Sequence, residues 1–354
     1  MSRNTGSVAS SNTSWLKLYA AVAVLPLALT ACGGGGGGDS PAPPPPAPTP
    51  APTPPSPAPT PTTAGTTWTN VTTAAAGNLL GVDYDDGHFV AVSDTGGAIT
   101  STDGSTWTPT AIFTSNVQTD HLKANAISHL GTTLVAGGST SSSPYTTSTG
   151  VVASSTDGVT WTAATLPAGA TPIHGFISGT NIIALGEAGA IYSSTDGRTY
   201  TALPAIPHAG ALNAGAYNGT QYVGVGDSGY VIASMNGTTW GSGQVFVGIN
   251  MHGVAWTGTQ FVAVGDNGSI SVSPNGTNWS ALKTSAISGA LRSVAVSSSG
   301  LITVVGDNGI ETSPDGSTWT ARNASGVAAL SGVVFGNGEF VAVGASSAIK
   351  TSNN

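Results

Sequence analysis

Ser313-Pro314-Asp315-Gly316-Ser317-Thr318-Trp319 is a seven-residue word that the chain repeats. Residues 101–107 and 155–161 spell it again, and 194–200 carry Tyr200 in the Trp place. Residues 234–240 and 273–279 have Asn-Gly where the others have Asp-Gly. The closing aromatics at 107, 161, 200, 240, 279 and 319 lie 39 or 40 residues apart, except for a first gap of 54. A fixed period of that size marks one supersecondary unit used repeatedly. Asp-Gly and Asn-Gly favour two-residue hairpin turns with positive φ at both positions, so each word predicts a hairpin. Its Ser and Thr hydroxyls are placed to bond the turn backbone. The Trp or Tyr is expected on the outgoing strand, packed between neighbouring sheets.

Upstream of each word lie three short runs rich in β-branched and aromatic residues, separated by Gly-containing turns. In the fifth unit they are 251–256, 260–265 and 269–273, and the strand after the turn makes a fourth. Four antiparallel strands per repeat of about 40 residues make a propeller blade. The other first strands begin at Leu79, Leu122, Ile173, Leu212, Leu291 and Leu330. The last repeat stops in mid-word at Ser352-Asn353-Asn354, and Gly65-Thr66-Thr67-Trp68 supplies the missing letters. The expected fold is therefore all-β: a seven-bladed β-propeller of four-stranded antiparallel blades, its last blade closed by the N-terminal strand. Closure of this kind removes the open edges of a linear array. The 54-residue gap holds about 14 extra residues around 138–150 of the second blade. Their polar composition predicts a surface insertion, or a loop overhanging one face of the ring.

These words and their spacing resemble the Asp-box, or BNR, repeats of sialidases, sortilin-type receptors and photosystem II assembly-factor-like propellers. The resemblance covers 65–354, although Asp and Gly are adjacent here, where the usual box separates them by one residue. It implies a propeller, and it raises the sialidase-like activity that some relatives carry. Such a site needs several arginines around the substrate carboxylate, a Tyr–Glu nucleophile pair and an acidic proton donor. The repeat region has only Arg198, Arg292 and Arg322, and its glutamates are Glu187, Glu311 and Glu339. Arg198 falls inside a hairpin word and Arg322 follows a Trp. The expectation is a binding module and not an enzyme, with a glycan-binding or degenerate sialidase-like glycoside hydrolase as the alternative. No cofactor is expected.

The chain before the repeats is of another kind. Residues 1–31 hold Arg3 and Lys17 and then an apolar run from Leu18 to Leu29. That is the pattern of a secretory leader. Leu29-Thr30-Ala31-Cys32 resembles a bacterial lipobox, which implies lipidation of Cys32, the one cysteine of the chain. Residues 32–64 open with a glycine run and continue as a Pro-, Ala- and Thr-rich stretch, a spacer that builds no core. The expectation is a lipid-anchored protein of the cell envelope, in the outer membrane of a Gram-negative bacterium. Beyond the leader, six Lys and Arg face sixteen Asp and Glu. That balance argues against nucleic-acid binding.

The repeat also separates positions that packing dictates from positions it leaves free. Each first strand reads apolar, free, small, apolar. The free column is Leu80, Lys123, His174, Asn213, His252, Arg292 and Ser331. First strands line a propeller's axis, so these side chains are expected near one mouth of the channel. Plain solvation of that channel is one reading. A site for an anionic ligand, a glycan or a protein partner is the other, with Lys123, His174, Asn213, His252, Arg292 and Ser331 as its ligand-binding residues. His174 and His252 lie on non-adjacent blades with no carboxylate in the column, so no metal is expected. Asp94, Glu187, Asp227, Asp266 and Asp307 follow the second strands and read as turn formers.

Overall fold

The second strand of each repeat holds the most continuous apolar run, and it is buried along its length. Ile182–Gly186, Tyr222–Gly226, Phe261–Gly265 and Ile302–Gly306 are buried at every residue. A strand apolar on both faces needs cover on both faces, and a blade standing between two other blades supplies it. The computed structural model describes residues 65–73, 77–113, 121–141, 148–322 and 328–352. The expected leader, Cys32 and the 32–64 spacer lie outside the described residues.

The described chain forms seven four-stranded antiparallel sheets. Blade four is representative, running Leu212–Tyr217, Tyr222–Gly226, Tyr230–Ser234 and Gly241–Gln244. Each first strand lies against the first strand of the next blade, and that of blade seven, Leu330–Gly336, lies against that of blade one, Leu79–Asp85. The ring closes as the repeat predicts. Thr69–Val71 pairs with Ile349–Ser352 in the register Thr69↔Thr351, Asn70↔Lys350, Val71↔Ile349, and becomes the outer strand of blade seven. Lys350 is buried beside it and donates to Asn70 Oδ1 at 2.7 Å. Burial pushes the Lys350 ammonium below its ordinary value.

The core consists of the gaps between blades. Ile177, Ile183 and Leu185 of blade three pack with Leu212, Tyr222 and Ile232 of blade four. Val341, Val343 and Ile349 of blade seven pack with Leu79, Phe89 and Ile99 of blade one. Each such side chain contributes about 1.5–3 kcal/mol by leaving water. The seam between last and first blades is built like the others. Ser346 N–H donates to Asn78 Oδ1 there, as Ser228 N–H donates to Asn250 Oδ1 between blades four and five.

The seven-residue words are hairpins, with a geometry unlike the one expected. Only the glycines take positive φ: Gly104, Gly158, Gly197, Gly237, Gly276 and Gly316 lie between 65° and 72°. The Asp or Asn works through its side chain instead. Asp157 Oδ1 accepts from the amides of Val159 and Thr160 at 2.8 and 2.7 Å, while Ser155 Oγ accepts from Gly158 N–H at 2.9 Å. Side-chain oxygens that accept the following amides replace the tight two-residue turn. Positive φ at two successive residues occurs instead at Asp86-Gly87 and Asn337-Gly338, which join first and second strands, and after second strands at Ala188-Gly189, Ser228-Gly229, Asn267-Gly268 and Ser346-Ser347. The aromatic residue also lies before the outer strand, not on it. Trp161 precedes Thr162–Ala163 and donates its indole N–H to Gly158 O at 3.0 Å.

The described residues of the insertion in blade two continue the ladder. Thr133–Ser141 pairs with Ser148–Ser155 out to Ser141↔Ser148, and with His121–Leu130 out to His121↔Ser141. Three strands thus run on together past the rim where the other blades turn. Glycines let this tongue lie close to its neighbours. A Cβ on Gly138 would stand 1.8 Å from Lys123 O, and one on Gly150 2.1 Å from Thr171 O.

Candidate functional rim

Every first strand carries a β-bulge near its start, and the bulge makes the free column. In blades three to six the pairing skips one residue between Ile173 and Gly175, Leu212 and Ala214, Met251 and Gly253, and Leu291 and Ser293. The skipped residues are His174, Asn213, His252 and Arg292. Blades one and seven skip Leu80 and Ser331 in the same way. An unpaired bulge residue is re-aimed out of the ladder, so packing does not dictate its type. The next position is small in every blade: Gly81, Ala126, Gly175, Ala214, Gly253, Ser293 and Gly332. There the first strands converge, and a Cβ on Gly332 would stand 3.3 Å from Gly81 Cα.

One member of the expected column is corrected. In blade two the bulge falls between Ala124 and Ala126, so Asn125 holds this address and Lys123 does not. The sequence count slipped by two because this first strand starts early, inside the tongue. Lys123 pairs with Ser139 and is exposed at the same end of the blade. Asn125 and Asn213 act alike. Each donates its amide to the carbonyl of the residue before the next bulge on its path, Asn125 to Ile173 O at 2.9 Å and Asn213 to Met251 O at 3.0 Å. Each amide thus ties one blade to the next.

The acids after the second strands are more than turn formers. In blades three to six each faces the free column of its own blade. His174 Nε2 lies 2.8 Å from Glu187 Oε2, and His252 Nε2 lies 2.7 Å from Asp266 Oδ1. Asn213 donates to Asp227 Oδ1 at 2.9 Å. Arg292 donates through Nε and Nη2 to Asp307 Oδ1 and Oδ2 at 2.9 and 3.4 Å. In blade one Asp94 takes the amide and side chain of Asn78. Burial pushes the Asp307 carboxyl up, but hydrogen bonds from Arg292 and Ala290 N–H outweigh it and hold it below the usual carboxylate range. The absence of carboxylates from the column hid this pattern, because the partners come from another strand end about 14 residues on. The signal was present in the acid that recurs after five of the second strands, and the bulge was needed to bring the two together.

The structure thus brings His174, Asn213, His252 and Arg292 into one arc of polar pairs across blades three to six, with Ser331 and Lys123 on the same rim. It does not leave the Arg292 cation free, since Asp307 already holds it. The rim is opposite the seven-residue words, which join third strands to outer strands. The arginines do not converge. Arg198 lies in a word, and Arg322 donates through Nε to Thr312 Oγ1 at 2.7 Å on an outer strand. A second pair marks the other mouth, where His129 Nδ1 lies 2.7 Å from Asp83 Oδ2 across blades one and two. The hydrogen bond to Asp83 raises His129 above the ordinary imidazole value, against the pull of burial.

No family model matches the sequence, and no curated protein matches it. Solved propellers share the fold. A structure described as YCF48 bound to D1 peptide aligns with a TM-score of 0.63 at 18% identity, over 81% of this chain and 97% of that one. Virginiamycin B lyase from Staphylococcus aureus, catalytically inactive and with quinupristin, aligns at 0.67 and 9%, over 81% and 99%. The WD40 β-propeller domain of Doa1 aligns at 0.62 and 13%, over 82% and 97%. A peptide-bound propeller and a lyase share this architecture, so the fold alone does not set the function.

Proposed function

We propose that this chain is a protein-binding or assembly-scaffold propeller, held in the cell envelope by a lipid on Cys32, with the bulge rim as its binding face. The observation that carries the reading is the arc of His174, Asn213, His252 and Arg292, each re-aimed by a bulge and each paired to an acid. Elsewhere the repeat uses its polar residues to build turns. This one address varies from blade to blade, as a surface shaped for a partner does. The propeller solved with a bound peptide supports the same use of the fold. The lipobox-like 29–32 and the spacer to residue 64 support the anchor, the secreted address and an outer-membrane destination. The glycan-cleaving alternative gains nothing from the dispersed arginines.

The experiment is site-specific photocrosslinking in intact cells. A photoreactive phenylalanine derivative replaces Ser331 on the rim in one strain and Ser317 in a seven-residue word in another. A discrete protein adduct from position 331 and none from 317 is the expected result. Adducts from 317 alone, or the same adducts from both positions, would sink the rim as the binding face.

A further inference from the structure

The rim is a balance of charges that imidazoles can tip. Five carboxylates stand on it, those of Asp94, Glu187, Asp227, Asp266 and Asp307, against the fixed cations of Arg292 and Lys123. Two of the five are held by histidines, at 2.8 and 2.7 Å. Resting on the rim as the binding face, we infer that His174 and His252 make it a pH-gated seat for a basic, lysine- or arginine-bearing segment of a partner protein.

Glu187 uses Oε2 for His174, and Asp266 uses Oδ1 for His252. Among the described residues no hydrogen bond reaches Glu187 Oε1 or Asp266 Oδ2, so each acid is oriented on one side and open on the other. With both imidazoles neutral, the carboxylates outnumber the fixed cations, and a basic segment is the complementary occupant. Protonation puts a full positive charge beside each acid, at contact distance, and cancels the attraction there. Imidazole is the side chain that makes this change between about pH 5 and 8.

Groups of both signs surround each histidine. His174 faces Glu187 on its own blade. The Asn213–Asp227 pair of blade four lies on one side, with Asn125 and Lys123 of blade two on the other. His208, exposed on the loop that bonds the Glu187–Gly189 turn, adds a third imidazole to this side. His252 faces Asp266 on its own blade, lies between Asp227 of blade four and the Arg292–Asp307 pair of blade six, and acts electrostatically on Asp307. No other lysine or arginine among these groups competes with the two imidazoles as carboxylate partners.

The fold provides its own control residue. Asn213 stands at the same bulge and donates to Asp227 as the histidines engage their acids. His174→Asn with His252→Asn therefore keeps the hydrogen bonds and removes the titration. The test uses the full chain in detergent with two labelled probes, a lysine decapeptide and a glutamate decapeptide, followed by fluorescence anisotropy at low salt. Wild type is expected to prefer the lysine peptide and to lose roughly threefold or more of that affinity between about pH 7.5 and 5.5. The double variant should hold the lysine peptide equally at both pH values. Glu187→Gln with Asp266→Asn should bind it weakly at both, which checks the same claim without touching a histidine. Preference for the glutamate peptide, binding of neither, or a pH response that survives in the double variant would overturn the proposal. A partner crosslinked at position 331 alongside such a result would leave the binding role standing and remove only the switch. Loss of the 331 adduct would remove the seat itself.

Discussion

Asp157 gathers three hydrogen bonds on one oxygen. Its Oδ1 accepts two amides and the hydroxyl of Ser155. Asn236 and Asn275 fill the same role with an amide oxygen, so the turn needs the acceptor and not the charge. Asp157→Ala should therefore lower stability by about 1 kcal/mol, whereas Asp157→Asn should change it by less than about 0.5 kcal/mol. Urea midpoints of the two variants check this. The charge matters for pH instead. The amides of Thr160 and Val159 hold the Asp157 carboxyl at about 2, from an ordinary value of 3.8. Asp103, Asp196 and Asp315 are lowered for the same reason. A depressed carboxyl stabilises the fold above its unfolded value and loses that contribution as pH falls through the folded one. Stability should drop between about pH 4 and 2, and replacing the four aspartates by asparagine should flatten the drop. His129 has the opposite sign. Its raised value means a contribution present below the ordinary 6.5 and lost as pH climbs through the folded value, so His129→Gln should flatten the slope above 6.5. Much of this chemistry was legible in the words themselves. Their backbone angles were not, because Asp-Gly is compatible both with a tight turn and with a side-chain-organised one, and sterics from Gly158 against Val90 are invisible until the blades meet.

At the scale of elements, the strand Thr69–Val71 closes the ring through three paired residues. Deleting 65–71 removes that strand and Trp68, whose indole donates to Gly65 O and whose ring lies 6.3 Å from Phe340. The truncated chain should unfold at a lower urea midpoint, with a loss of roughly 2 kcal/mol or more, and less cooperatively. The tongue of blade two makes a second claim. Gly150 passes so near Thr171 O that Gly150→Ala must push the backbone aside, at a cost of roughly 1–3 kcal/mol in thermal or urea unfolding. Strand order and closure were readable because the repeat supplies seven versions of each strand. The tongue and the bulges were not. A polar Ser- and Thr-rich insertion looks the same as loop or as ladder, and a bulge adds one residue without any compositional mark. That single residue decides whether Lys123 or Asn125 belongs to the free column.

On the scale of the whole molecule, the address and the architecture are separable. Cys32→Ser should release the protein from salt-washed membranes into the soluble fraction, leaving the unfolding of the ring unchanged. The architecture was legible from periodicity alone, since seven similar units have few ways to bury two-faced strands other than around an axis. The occupant of the rim was not, because partner chemistry is set by a few side chains whose pairing depends on strand ends brought together by folding. The closing strand adds a mechanical side to this arrangement. If Cys32 is fixed in a membrane, any load drawn along residues 32–64 enters the ring at Gly65, directly beside its clasp. The pull falls on three residue pairs of an outer strand, while the other blades are continuous hairpins with no free end. Tension should therefore peel Thr69–Val71 away from Ile349–Ser352 before it unravels anything else. The domain would yield at one defined place, and it could snap shut again when the load is gone.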